Sequence, residues 1–583
     1  MASNFFSKAS LVMVPDAPID GKLPSVKPED RSGDFTFSRG SNLAATRITK
    51  DSLIEKGREN LLLQSNQFDA TWTTFRASMS SGIEGYDGTN DAWLLETTGT
   101  SGRVRQSLNY SGNIATFSVY AKAAANNWVR LRTDGPTSYT SFNLDPAATG
   151  SRIGASSSSL LANIEDVGNG WFKCSITVVW VDQEVSIWKQ DDGDGNAGGS
   201  GSIYVQDAQL EVGLVATDYI ESGATTGKAG LLENEPRIDF TGGGCGSLLL
   251  EPSRTNLVAQ SEWFGEWDSF STFLTHKDGI SPSGYKDATK LYIPADNANV
   301  YIRTQFSNVA NQTHIGSIFL KKVDGDEVRL RLSGGAPNIE ASAIFNLSNG
   351  TYRDAIGSVT PSIENYGNGW YRCSIGDLGG ATVATPSLRI DALGTGYAPT
   401  VYVWGAQVEV ASYPTSYIPT YGSSVTRSQD VGTQLNFSNF FDGYDFTMFL
   451  ELKDNDSLVR ANSSNNFRIS DTGGNNYGAI RIYRASSNAT RHRVVFQDNS
   501  QNFDPSSVSV DSKNPKIIVR RIYDTGEFKV FVDGVLKLTA TNTDYDIFRF
   551  IDFAGGGSSM NIKQIALFGT ALTDDECIAL TTI

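Results

Sequence analysis

The chain spells one pattern twice, about 200 residues apart. Arg58-Glu59-Asn60-Leu61 runs on to Gln64-Ser65, Phe68 and Trp72, and Arg254-Thr255-Asn256-Leu257 runs on to Gln260-Ser261, Phe264 and Trp267. Gly168-Asn169-Gly170-Trp171-Phe172-Lys173-Cys174-Ser175-Ile176 returns as Gly367-Asn368-Gly369-Trp370-Tyr371-Arg372-Cys373-Ser374-Ile375. Ile203-Tyr204-Val205 with Ala208-Gln209-Leu210-Glu211-Val212 returns as Val401-Tyr402-Val403 with Ala406-Gln407-Val408-Glu409-Val410, and Tyr219-Ile220 as Tyr417-Ile418. The offset stays between 195 and 199 residues. Order, spacing and residue type agree together, which coincidence does not produce. A solenoid repeat runs about 20–50 residues, so each copy here is a whole domain.

Each copy reads as β. Phe117-Ser118-Val119-Tyr120-Ala121-Lys122 and Val129-Arg130-Leu131-Arg132 alternate at period two, as do Ser317-Ile318-Phe319-Leu320-Lys321 and Val328-Arg329-Leu330-Arg331-Leu332. Such alternation turns one face to a core and the other to water or a partner. Gly-Asn-Gly before each Trp is turn chemistry, since glycine and asparagine reach positive φ cheaply. Many short strands joined by such turns imply a sandwich or jelly roll. Cys174 and Cys373 share one repeat position, which makes them small core residues on equivalent strands and not a disulfide pair.

From about Asp430 the repeat stops but strands continue. Phe446-Thr447-Met448-Phe449-Leu450-Glu451-Leu452 and Lys516-Ile517-Ile518-Val519-Arg520-Arg521-Ile522-Tyr523 are two of them. Asp533-Gly534 between alternating runs predicts a tight hairpin. Thr573 and Glu576 have capping-box spacing and predict the start of a short terminal helix.

Composition bounds the class. A chain of 583 residues holds about three to five domains at ordinary domain size. The formal charge of −16 repels phosphate backbones, which argues against nucleic acid as a partner. No stretch approaches the ~20 apolar residues of a membrane span. Leu11-Val12-Met13-Val14 stops at Pro15, short of the ~7–15 apolar residues of an export signal, so synthesis in a cytoplasm is expected. The three histidines, His276, His314 and His492, have no ligand spacing and accompany no G-x-S-x-G elbow.

On these motifs the two repeats resemble the galactose-binding-like jelly-roll modules of bacteriophage virion proteins and carbohydrate-active enzymes. The run from Asn60 to Trp72, the turn-strand from Gly168 to Ile176, and the runs Ile203–Ile220 and Val401–Thr420 carry the resemblance. The last domain is similar to the concanavalin A or laminin-G class of lectin-like sandwiches, through Phe528–Leu538 and Ile562–Glu576. The stretch from Gly33 to Asn66 resembles a leader found in phage tail-fibre and head-fibre proteins.

The fold expected is therefore all-β, with two repeated jelly-roll sandwiches, a lectin-like sandwich and an extended N-terminal segment. The boundaries are an attachment segment at 1–56, module 1 at 57–225, a connecting segment at 226–252, module 2 at 253–425 and the last domain at 426–583. Pro15, Pro18, Pro24 and Pro28 favour an extended leader. Phe5, Phe6, Leu11, Val12 and Val14 are its candidate docking side chains, the alternative being a strand that completes the first sandwich.

Candidate sites are few. Asp192, Asp194 and Asn196 alternate as calcium ligands do, but Ala197 and Ile203 stand where an EF-hand needs Gly and Glu, so a solvated hairpin loop fits better than a calcium site. Sugar binding calls for exposed aromatic rings. Trp93, Trp128, Trp180, Trp188, Trp263 and Trp404 are available for it, though large aromatics mostly lie in cores. Trp171 and Trp370 recur, which favours a shared core role. Glu211 and Glu409 are the acids that recur on a matched strand, and they fall in different domains, too far apart to act on one glycosidic bond.

What the resemblance implies is a structural component of a virion, a head or tail fibre displaying carbohydrate-binding-like domains for host adhesion. Its partners would be capsid, portal or tail proteins through the N-terminal segment and a glycan of the host surface. It would be a homo-oligomer, a trimer in preference to a dimer, with no catalytic residues, no cofactor, no nucleic acid and no membrane insertion. The alternative is a polysaccharide-degrading enzyme or its accessory carbohydrate-binding protein. The exposed work is expected of residues 426–583, on the premise that an N-terminal anchor points the C-terminus away from the particle.

Overall fold

The computed structural model describes residues 3–40, 43–108, 112–133, 138–179, 184–194, 198–295, 300–307, 309, 312–334, 339–378, 386–394, 396–436, 444–453, 467–470, 479–484, 492–497, 507–542, 548–554 and 559–582. The fold is all-β. Module 1 is built from β1 (Thr73–Phe75), β2 (Ala77–Ile83), β3 (Ala92–Thr98), β4 (Arg103–Ser107), β5 (Ile114–Ala123), β6 (Trp128–Thr133), β7 (Ser138–Asn143), β8 (Ile153–Ser157), β9 (Leu161–Gly168), β10 (Trp171–Val179), β11 (Glu184–Gln190) and β12 (Ser200–Val212). They form two six-stranded antiparallel sheets, ordered β9-β10-β5-β12-β3-β2 and β8-β7-β6-β11-β4-β1.

Module 2 follows with β13 (Asp268–Phe270), β14 (Phe273–Gly279), β15 (Ala288–Tyr292), β16 (Tyr301–Gln305), β17 (Thr313–Asp324), β18 (Glu327–Gly334), β19 (Ile339–Asn346), β20 (Thr351–Ile356), β21 (Val359–Asn365), β22 (Trp370–Leu378), β23 (Ser387–Asp391) and β24 (Thr400–Val410). Its sheets are β21-β22-β17-β24-β15-β14 and β20-β19-β18-β23-β16-β13, the module 1 orders with each strand replaced by its counterpart. The match extends to register. Val119 lies opposite Cys174 and Ile318 opposite Cys373, and both central strands bulge one step away, at Ser118/Tyr120 and Ser317/Phe319. Both cysteines are fully buried and neither is in a disulfide. Gly168, Asn169 and Gly170 all have positive φ, as do Gly367, Asn368 and Gly369, the backbone those residues were expected to adopt.

Each jelly roll is closed by a short strand pair at its chain ends, Arg58–Asn60 with Gly227–Ala229 and Arg254–Asn256 with Val425–Arg427. Asn60 and Asn256 lock the closures identically. Asn60 Nδ2 donates to the carbonyls of Ala208 and Ile220, and Asn256 Nδ2 to those of Ala406 and Ile418.

The third sandwich differs from the expected boundaries. One sheet runs Ile238–Asp239, Ser247–Leu250, Met560–Phe568, Phe446–Lys453, Lys516–Ile522, Glu527–Val532 and Val535–Thr541, and Leu11–Met13 also pairs with Met560–Phe568. The facing sheet runs Phe37–Ser38, Val431–Asn436, Phe550–Ala554, Phe467–Ser470, Ala479–Arg484, His492–Gln497 and Val508–Val510. Residues 1–56 and 226–252, read from sequence as an attachment segment and a connector, thus give strands to this sandwich. They do so because their apolar side chains need a core: Leu11, Met13, Leu23, Phe35, Phe37, Ile238, Phe240, Leu248 and Leu250 all enter one cluster with Met448, Ile517 and Ile562. Of the leader's docking candidates, Phe5, Leu11 and Val12 are buried in the chain's own core, while Phe6 and Val14 are exposed. The strand that completes a sandwich completes the third and not the first.

Two local expectations in this sandwich hold. Val532 pairs with Val535 around Asp533 and Gly534, both at positive φ as a type I′ turn requires. A terminal helix, Asp574–Thr582, follows a capping box in which the Glu576 N–H donates to Thr573 Oγ1 at 3.3 Å and the Thr573 N–H donates to Glu576 Oε2 at 2.9 Å.

Candidate functional site

The acidic loop after β11 does not gather ligands. The Asp194 N–H donates to Asp192 Oδ1 at 3.1 Å, a local turn contact. Its neighbour Asp191 takes Lys189 Nζ at 2.6 Å and Asn126 Nδ2 at 3.0 Å, and the Lys189 contact holds its carboxyl below the usual range. Asn196 and Ala197 lie outside the described residues, and no group of metal-ligating side chains is found among those described.

The tryptophans proposed for sugar stacking are mostly interior. Trp93, Trp188, Trp263 and Trp404 are buried, Trp128 is half-buried, and Trp180 lies outside the described residues. Trp93 Nε1 donates to the Asn66 carbonyl at 3.0 Å and Trp188 Nε1 to Ser186 Oγ at 2.8 Å. Trp171 and Trp370 are buried at matched positions. Glu211 and Glu409 are also interior and do matched structural work. Glu211 accepts the Thr217 N–H at 2.7 Å and its hydroxyl at 2.8 Å; Glu409 accepts the Thr415 N–H at 2.8 Å and its hydroxyl at 2.5 Å. Each acid folds the loop that leads to the closing strand of its module.

A cavity of about 210 Å³ lies where module 1, the hairpin Thr46–Ile48/Ile54–Lys56 and module 2 meet. Two buried carboxylates of module 2 border it. Glu262 accepts from Tyr421 Oη at 2.8 Å and Tyr417 Oη at 3.1 Å, with Lys56 Nζ 3.8 Å away. Asp287 accepts from Trp404 Nε1 at 3.2 Å. Burial, then the nearby Glu262 charge, pushes the Asp287 carboxyl up to about 7. An acid raised towards neutrality in a cavity is the kind of group that general acid–base chemistry uses. The volume decides against a polymer substrate, since ligand pockets run about 300–1,000 Å³. The repeat points the same way: Gln206 Nε2 donates to Asp91 Oδ1 at 2.7 Å at the place where Trp404 meets Asp287, so this contact belongs to the fold.

Among the described residues the two most exposed rings are on module 2, where the chain crosses from one sheet to the other. Phe270, at the end of β13, is 50% exposed, and Phe273, at the start of β14, is 64% exposed. Ser271 between them has φ of 55°, the left-handed turn that carries the crossing. Phe270 stacks on Tyr301 at 6.2 Å between centroids, and Phe273 on Tyr292 at 6.0 Å. Ile302 beside Tyr301 and Leu291 beside Tyr292 point into the core, and the strands belong to different sheets, so the two pairs look out from opposite outer faces of the sandwich. The fold does not require the second pair. Module 1 places Ser78 opposite Glu96 at the register position where module 2 places Phe273 opposite Tyr292. Sequence reasoning weighed only tryptophans and missed these rings. The signal that would have found the Phe273–Tyr292 pair is a mismatch between the repeats at outward positions.

No protein-family model and no curated protein matches the chain. Among solved structures it is similar to the Ruminococcus gnavus IT-sialidase CBM40 bound to alpha2,3 sialyllactose, at 16% identity over 24% of this chain and 83% of that one, with a TM-score of 0.19. It is also similar to the N-terminal CBM22-1-CBM22-2 tandem domain from Paenibacillus barcinonensis Xyn10C, at 11% identity over 60% of this chain and 97% of that one, with a TM-score of 0.21. At these scores the assignment of the fold rests on the sheet orders given above.

Proposed function

We propose that the chain is a structural component of a bacteriophage virion, a head- or tail-attached fibre that displays two carbohydrate-binding-like modules for adhesion to the host surface. The observation that supports it best is the nesting of the modules. Both are strung between strands of one sandwich that holds Leu11–Met13 and Met560–Phe568 side by side. In this reading the third sandwich attaches to capsid, portal or tail protein, and the modules meet the host glycan. The earlier expectation that residues 426–583 are distal gives way, because leader and C-terminal strands share one body. The fibre is a homo-oligomer at the virion surface, a trimer in preference to a dimer, and performs no catalysis.

An accessory carbohydrate-binding protein of a polysaccharide-degrading enzyme would display the same two modules. Imaging of phage particles with gold-labelled antibody to the chain separates the two. Label at the head or tail, and competition by the purified chain against phage adsorption, are expected. Unlabelled particles would leave the accessory reading in place.

A further inference from the structure

We infer that the outward face of the sheet β8-β7-β6-β11-β4-β1 in module 1, and of its counterpart in module 2, binds a polysaccharide that bears carboxylates. The inference rests on the adhesion reading for its setting and on side chains for its content.

Outward positions of a repeat are free to drift, and on the opposite sheet they have drifted, from Ser78 and Glu96 to Phe273 and Tyr292. On this sheet some have drifted, Arg103 to Tyr301 and Trp188 to Asp391, but others have not. Phe75 and Phe270 hold the same register position, and so do Arg105 and Arg303. Arg130 and Arg132 match Arg329 and Arg331 on the central strand. A structural core does not explain the match, because Phe75 and Phe270 are 40% and 50% exposed.

The geometry alternates rings with guanidiniums. In module 1 the Arg103 guanidinium lies 4.7 Å from the Phe75 ring and 4.6 Å from the Trp188 ring, with Arg132 over Trp188 at 5.0 Å. In module 2 Arg389 and Arg303 lie over Tyr301 at 4.4 and 5.1 Å, and Phe270 stacks beyond. Arg303, Arg389 and Arg331 stand directly opposite one another on three adjacent strands. Like charges so placed destabilise a sheet, and here they stand in a chain of formal charge −16; module 1 keeps the outer two of the row, Arg105 and Arg132, on either side of Ser186.

Acids on the same face engage part of this charge. Asp268 accepts from Arg303 at 2.7 Å, Asp391 from Arg389 at 2.9 Å and Glu327 from Arg353 at 2.8 Å. A guanidinium carries five donors, so one carboxylate does not exhaust it. The planar fork suits carboxylate bidentately, and the exposed rings of Phe75 and Phe270 offer flat apolar surface to the C–H faces of sugars. Charge elsewhere on the chain is screened beyond about 8 Å at physiological ionic strength, so the face acts through its own guanidiniums. Two such faces on one chain add avidity towards a repeating polymer.

The test is affinity electrophoresis and calorimetry of the full chain with polygalacturonate, with its methyl ester and with single-stranded DNA. The chain is expected to bind polygalacturonate at least tenfold more tightly than the ester or the DNA, and less tightly as salt rises. F270A with R303Q lowers the affinity about tenfold, and adding F75A with R105Q abolishes binding. F273S with Y292E, which installs the module 1 pair on the opposite face, leaves it unchanged and shows that a folded module with altered rings still binds. Equal binding of the ester or of DNA, unchanged binding by the first variants, or loss in the F273S/Y292E variant overturns the inference. Adsorption of the wild-type chain to host cells without polygalacturonate binding overturns the site and spares the adhesion reading. Polygalacturonate binding that the four substitutions abolish, with no adsorption to host cells, upholds the site and removes that reading.

Discussion

Arg237 and Asp430 stand 193 residues apart and form a buried ion pair, with Arg237 Nε donating to Asp430 Oδ1 at 3.2 Å. The pair is the centre of a cluster. Arg237 Nη1 also reaches Glu251 Oε2 at 2.8 Å, Arg427 Nη1 reaches the same oxygen at 2.8 Å, and Arg39 Nη1 reaches Asp430 Oδ1 at 3.3 Å. Leader, connector, module 2 and the third sandwich are thereby fastened at one point. Burial alone would raise the Glu251 carboxyl, but Arg427 and Arg237 draw it well below the usual carboxylate range.

Breaking this cluster on one side strands a buried charge. Arg237→Met is expected to cost about 3–5 kcal/mol. Chemical denaturation with intrinsic fluorescence checks it, and a loss below 1 kcal/mol would show the cluster to be dispensable.

Removal of residues 1–40 takes Leu11, Met13, Leu23, Phe35 and Phe37 out of the third core. Calorimetry should then show the module transitions kept and that of the third sandwich lost. The milder Leu11→Ala should cost about 2–5 kcal/mol in the same sandwich. A truncated chain with every transition intact would mean that the leader strands are ornamental.

Asp287 gives a pH signature. Its folded carboxyl titrates near 7 against an ordinary value of 3.8. A raised acid favours the folded state when protonated, so its contribution is full below about pH 4 and is lost as pH rises through 7. Asp287→Asn, which can still accept from Trp404, should leave stability and melting temperature unchanged at pH 4 and raise both at pH 8, the stability by on the order of 1–3 kcal/mol. Parallel pH–melting curves for the two proteins would refute this.

Glu211 and Glu409 should behave as a matched pair. Alanine at either leaves a buried Thr N–H, of Thr217 or Thr415, without its acceptor, at a cost of about 1–3 kcal/mol. Glycan binding should be untouched. A binding defect without a stability loss would give these acids a role they do not have here.

Much of this architecture was legible in the chain. The matched landmarks around Trp171 and Trp370 led to two sandwiches with the same strand orders, and Thr573 with Glu576 marked the terminal helix. What stayed hidden was contact at long range. Leu11-Val12-Met13 reads as a short apolar run near four prolines, and nothing in it names Leu567 as its neighbour. The exposed rings were hidden for a related reason. Exposure of Phe270 or Phe273 depends on which strand ends a sheet, whereas the tryptophans that composition brought forward are the side chains a core most readily consumes.

The pairing of Leu11–Met13 with Met560–Phe568 also sets a timetable. Translation delivers the first partner of this ladder before either module and the second after both. Both jelly rolls have all their strands before then, so they can fold while the chain is still emerging. The third sandwich has to wait, holding apolar leader strands open in the meantime. Any attachment surface it carries is therefore assembled last, on molecules whose two modules are already complete.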